Sequence, residues 1–316
     1  MKKAFFFIIT ISVLAVFLPQ DAGAYWIWTP KTGKWVNPKN QVKGTPQEQF
    51  KLAKDLYDSG QLAEADREFK KLIKRYPKAF EASESQYYLG LIEEKQGNLY
   101  EAFTAYQKVI DKYPFSERIQ EIIEKEYKIG EEFMSGYKRK GLGATFAVEN
   151  PAIEIFTKVV ENSTYGPLAA KAQYKLGLVL KGLMRYYDAE EAFDKVINNY
   201  PDSEWVEAAK FQIAECRASL SRGPDYDLGA AKDAKDRFED FLMEHPDAEL
   251  SREAEKNIQE LNEKEAESSY NIAFFYEKQR DFKPAMIYYQ DIIEKYPNSI
   301  WAAKALERMR VLERKK

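Results

Sequence analysis

From residue 45 onward, apolar positions recur every three or four residues in segments separated by short polar turns. That is the period of helices with one buried face. Many segments end on an aromatic residue or histidine followed by proline: Tyr76-Pro77, Tyr113-Pro114, Tyr200-Pro201, His245-Pro246 and Tyr296-Pro297. Proline stops a helix because it lacks the amide hydrogen that the helix interior requires. Upstream of each stop the same spacing returns. Tyr88-Leu89-Gly90 precedes Gly97-Asn98, Ala102, Tyr106, Val109 and Pro114, as Lys175-Leu176-Gly177 precedes Ala189, Phe193, Val196 and Pro201. Leu52-Ala53, Gly60, Ala65, Phe69 and Pro77 form the first copy, and Ile272-Ala273, Ala285, Tyr289 and Pro297 the last. In each, a Gly or Ala lets two helices cross closely while a large residue packs between them.

Pro77 and Pro114 lie close to one 34-residue period apart, the repeat length of tetratricopeptide arrays. Two further copies sit in the wider gaps. Tyr127-Lys128-Ile129-Gly130 opens one, Ala152, Phe156 and Val159 close it, and an insertion around Ser135 to Val148 separates its helices. Phe211, Ile213 and Ala214, a loop over Ser221 to Asp227, then Ala234, Phe238 and Phe241 make the other. The expectation is an all-α, right-handed superhelical solenoid of six helix pairs with a capping helix from about Ser299 to Arg314. Thr45-Pro46, Ser116, Ser203 and Ser299 are the expected helix caps. The repeats divide into an N-terminal half, 45–202, and a C-terminal half, 203–316.

The N-terminus has a different pattern. Lys2 and Lys3 precede an apolar run from Ala4 to Leu18, and Ala22-Gly23-Ala24 follows. This reads as a signal peptide over residues 1–24, with a mature chain starting at Tyr25 outside the cytoplasm. No cysteine stands there to carry a lipid. An arm over residues 25–44 follows, bearing Trp26, Trp28 and Trp35 around a Pro-Lys-Thr-Gly turn. It forms either a small hairpin or an extended strand. Its tryptophans either dock on a partner or the cell wall, or fold back over the first helix pair. The cost of exposing tryptophan favours the last.

Composition narrows the chemistry. One histidine, His245, and one cysteine, Cys216, rule out a disulfide within the chain, a thiolate cluster and most zinc sites. The net charge of −3 gives no nucleic-acid signal. Carboxylates such as Glu121 and Glu124 follow helical spacing beside Lys125, a solvated face. The basic stretch Tyr137 to Gly143 lacks phosphate-loop spacing and reads as an inter-helix loop, open to acidic partners or lipid. No catalytic pair, cofactor or metal is expected, and binding is the natural use of a helical stack. First helices line its concave side, so Phe50, Lys54, Tyr57, Tyr87, Leu91 and Glu94 are expected to face a protein-binding groove.

The segment from about Ser203 to Lys316 resembles the C-terminal half of BamD-like outer-membrane β-barrel assembly factors. The resemblance rests on Ala234, Phe238, Phe241, His245-Pro246-Asp247, Ala254 and a long helix through Glu265-Ala266-Glu267. It continues through Ala273 to Tyr276, Ala285 and Glu294 to Ser299. It implies a non-enzymatic periplasmic scaffold at the outer membrane, with a BamA-like pore protein and unfolded outer-membrane protein segments as partners. Two features depart from that family: the lipid-bearing cysteine is absent, and there is one helix pair beyond its usual five. A TolA-binding, CpoB-like envelope coordinator is the alternative, but it places a coiled coil where Tyr25 to Thr45 has tryptophans and prolines.

Overall fold

The chain is seen in a computed structural model that describes residues 26–30, 33–36, 42–136, 150–221 and 228–314. The signal segment, the Tyr137–Gly143 stretch and the loop residues 222–227 lie outside them. Among the described residues there are thirteen helices and one two-stranded hairpin. The strands are β1 (Ile27–Thr29) and β2 (Lys34–Val36), antiparallel with Trp28 opposite Trp35. The chain divides into two compact units, Met1–Arg118 and Ile119–Lys316.

The first unit holds two helix pairs, α1 (Pro46–Asp58) with α2 (Leu62–Arg75) and α3 (Phe80–Lys95) with α4 (Leu99–Lys112). The second holds four: α5 (Ile119–Met134) with α6 (Pro151–Asn162), α7 (Ala169–Gly182) with α8 (Tyr186–Asn199), α9 (Trp205–Ser221) with α10 (Leu228–Glu244), and α11 (Ser251–Lys278) with α12 (Phe282–Lys295). α13 (Ile300–Glu313) closes it. The all-α repeat fold and its six pairs follow the apolar spacing. The expected caps form: the Thr45 hydroxyl accepts from the Glu48 amide at 3.2 Å, and Ser299 accepts from the Trp301 amide at 3.0 Å. Ser116 and Ser203 accept in the same way from Arg118 and Trp205.

Phe193 and Val196 of α8 share one buried cluster with Ala209, Ile213 and Cys216 of α9. The apolar faces on either side of Pro201 need each other, so that turn lies inside a core. The boundary between the two compact units falls at 118/119.

Each first helix brings a small residue against a ring of its second helix. A Cβ at Gly90 would lie 2.2 Å from Tyr106, at Gly130 2.8 Å from Phe156, and at Gly177 2.5 Å from Phe193. Four residues before the small residue, Gln49, Gln86 and Gln173 each donate to a backbone carbonyl 19 positions later, those of Glu68, Ala105 and Ala192. α11 is longer than the other first helices because it serves two cores. Its Ala254 and Leu261 join the cluster of α9 and α10, while Ala266 and Ala273 join that of α12 and α13.

Candidate functional site

Three residues before each small residue stands an aromatic side chain, and it meets the ring packed between the helices. The pairs are Phe50–Phe69 (5.8 Å between centroids), Tyr87–Tyr106 (5.8 Å), Tyr127–Phe156 (5.7 Å), Tyr174–Phe193 (5.5 Å), Phe211–Phe238 (5.7 Å) and Tyr270–Tyr289 (5.4 Å). Offset or edge contacts of this kind add about 0.5–1.5 kcal/mol beyond their area. Two of the expected groove residues take part in these ring contacts. Tyr87 is only 4% exposed and belongs to the core of its own pair. Phe50 is half-buried in the equivalent place, also touching Tyr88.

Glu94 Oε2 accepts the Tyr106 hydroxyl at 2.7 Å, a contact within the same helix pair. Leu91 is half-buried. Lys54 and Tyr57 do reach the surface of α1, where the Lys54 ammonium donates to Asp58 at 2.8 Å. That hydrogen bond raises the Lys54 pKa.

Tyr88 is the residue that spacing alone did not select as a contact. It lies between α1 and α3, stacked on Phe69 (5.2 Å) and met edge-on by Tyr57 (5.1 Å) and Phe50 (5.7 Å). Burial raises its pKa, with Lys54 opposing the shift. The Lys95 ammonium sits 3.7 Å from the centre of the Tyr57 ring. Beside them Arg118 donates from Nε and Nη2 to the Glu84 carboxylate at 3.1 Å each, and its guanidinium covers the Tyr87 ring at 4.9 Å. The signal for Tyr88 was the doublet Tyr87-Tyr88 itself: two adjacent rings on a helix point about 100° apart, so one serves the core and the other the surface between helices. The resulting face offers aromatic edges, a phenol and charges of both signs, which suits contact with polypeptide.

The three arm tryptophans remain exposed, at 55% for Trp26, 47% for Trp28 and 63% for Trp35. They do not disappear under the first helix pair. Trp28 and Trp35 instead meet each other edge-on at 5.8 Å across the hairpin.

His245 packs on Phe241 at 5.3 Å with Nδ1 3.8 Å from Glu207, and the Cys216 thiol is fully buried, its pKa pushed up to about 11 by burial. No group of His, Cys, Asp and Glu among the described residues is arranged to hold a metal ion. No described helix is long and apolar enough to cross a membrane.

A family model named YfiO, described as outer membrane lipoprotein, matches residues 150–315, and a tetratricopeptide-repeat model matches residues 50–117. No curated protein matches the sequence. Among solved structures, the chain is similar to the C-terminal part of a tetratricopeptide-repeat protein from Cytophaga hutchinsonii. The identity there is 21%, covering 83% of this chain and 88% of that one, with a TM-score of 0.37. A tetratricopeptide-repeat protein of Thermus thermophilus is 16% identical over 68% of this chain and 99% of that one, with a TM-score of 0.32. MamA is 21% identical over 64% of this chain and 92% of that one, with a TM-score of 0.34.

Proposed function

The chain belongs to the YfiO family of outer membrane lipoproteins, and on that premise we propose that it is a non-enzymatic periplasmic scaffold that holds proteins during assembly of outer-membrane β-barrels. The family match over residues 150–315 carries the reading. In the BamD-like role its partners are a BamA-like pore protein, bound by the C-terminal repeats, and unfolded outer-membrane protein segments, bound by the N-terminal ones. The chain acts at the periplasmic face of the outer membrane after export, without a lipid.

The client face is the surface of α1 and α3 around Lys54, Tyr57 and Tyr88. What supports it is the mixture of half-buried rings and ion pairs there, since an unfolded β-barrel segment alternates apolar and polar side chains. Contact with such a segment uses both at once.

Affinity capture from solubilised envelopes tests the proposal. With this chain as bait, the β-barrel assembly pore protein is expected among the retained proteins. Retention of TolA without the pore protein would overturn the reading in favour of a CpoB-like coordinator.

A further inference from the structure

The arm has a charge pattern unlike the rest of the chain. Between Asp21 and Glu48 there is no carboxylate, but Lys31, Lys34, Lys39 and Lys43 all fall there, in a protein whose net charge is −3. The remainder is therefore more acidic than the whole, and the stretch of sequence that carries the three tryptophans is basic. Strand register puts Trp28 and Trp35 directly opposite, hence on the same face of the hairpin. Trp26 and Ile27 add further exposed apolar surface, at 55% and 48%.

A hairpin this small has no core of its own, and exposed indoles in such density need an occupant. A bilayer interface accepts several together, since indole prefers the headgroup level and lysine can lay its stem along apolar surface while its ammonium meets lipid phosphate. Clustered lysines without acidic neighbours are attracted to anionic leaflets.

We propose that the β1–β2 hairpin docks the protein on the surface of an anionic phospholipid bilayer, with Trp26, Trp28 and Trp35 entering the interface and the net positive charge of the 25–44 sequence favouring an anionic surface. The proposal stands on the hairpin and its charge, independent of any client or pore protein. It gives a route to membrane association that involves neither a spanning helix nor Cys216, which is buried in α9.

The chain from Tyr25 onward contains every described element and serves for the test. It is sedimented with vesicles of phosphatidylglycerol and phosphatidylcholine in equal parts, and with phosphatidylcholine alone. Binding is expected on the anionic vesicles, weakening as salt is raised. Replacing all three tryptophans, W26A/W28A/W35A, should lower partitioning by about tenfold or more. Trp26→Ala, which leaves both strands intact, should lower it by about threefold. Blue-shifted tryptophan emission on binding should vanish in the triple variant, whose remaining Trp205 and Trp301 lie in helices. Equal sedimentation of parent and triple variant would overturn the proposal. So would retention on peptidoglycan with no vesicle binding.

Discussion

The Tyr106 hydroxyl donates to Glu94 Oε2 at 2.7 Å, and Tyr289 repeats the contact with Glu277 Oε2 at 3.0 Å, each pair 12 residues apart. Where the ring between the helices is phenylalanine, as in Phe69 or Phe193, the place of the carboxylate is taken by Tyr57 or Lys181. A buried hydroxyl needs an acceptor, and the matching Glu supplies it. Tyr106→Phe should therefore cost about 1 kcal/mol, and Glu94→Gln less. A double-mutant cycle by urea unfolding measures the coupling.

The same contact gives an alkaline limit. Burial, then the hydrogen bond to Glu94, raises the pKa of Tyr106, and burial also raises Tyr127, Tyr174 and Tyr289. A phenol raised above its unfolded value of about 10 stays neutral in the fold while the unfolded chain ionises. Its stabilising contribution is complete below pH ~10 and is lost as pH rises beyond it, at about 1.4 kcal/mol per pH unit for each such tyrosine. Unfolding followed between about pH 9 and 12, the range that brackets an ordinary phenol, should show this fall, and Tyr106→Phe should flatten it.

Two substitutions near one turn should act in opposite directions. Gly177→Ala places a Cβ 2.5 Å from the Phe193 ring, which must shift, at a cost of about 1–3 kcal/mol. Met184, in the turn after α7, has φ +60° and is 75% exposed, whereas the equivalent turns after α1 and α3 use Gly60 and Gly97. Met184→Gly relieves the left-handed strain without removing packing and should stabilise by about 0.5–1 kcal/mol. Thermal unfolding of both variants checks the signs.

Glu190 is 6% exposed and receives two hydrogen bonds from Arg217, with Arg237 and Asp233 completing a network across α8, α9 and α10. Glu190→Ala leaves the Arg217 charge half-buried without its main partner, and should destabilise by about 2–4 kcal/mol. Chemical denaturation of this variant beside Glu191→Ala, at an exposed neighbour, separates the network from simple loss of a carboxylate.

The two tyrosines first expected in the groove should behave differently. Tyr57→Ala should weaken binding of a peptide from an outer-membrane β-barrel by about 1–2 kcal/mol and leave helical content unchanged. Tyr87→Ala removes a ring from a core pair and should destabilise the fold by about 3 kcal/mol. Titration calorimetry and circular dichroism, done on both, tell the cases apart.

The repeats were legible because the close crossing and the ring that fills it demand fixed residue types at fixed spacing. Gly90 with Tyr106 and Gly177 with Phe193 stand out in the sequence for that reason. Even Gly130 and Phe156 could be paired across an insertion. The proposed contact face was less legible, because a single step along a helix turns the side chain by about 100°. Tyr87 and Tyr88 are chemically identical in the sequence, and only the position of α1 decides which one is covered. The partner of Glu94 was hidden for a related reason: a carboxylate on a first helix does not reveal in the sequence that the hydroxyl of Tyr106 lies beside it. For the arm, alternation allowed a hairpin, but the exposure of its indoles depends on what packs there, which no local pattern encodes.

The central claim is that the α1–α3 face holds outer-membrane β-barrel chains. It is tested most directly in cells, with a photoreactive phenylalanine analogue in place of Tyr57. Irradiation should yield adducts with an unfolded outer-membrane β-barrel protein, and none from the same analogue at Lys256, an exposed residue on α11. Absence of barrel adducts from position 57, or adducts solely with proteins that never enter the outer membrane, would contradict it.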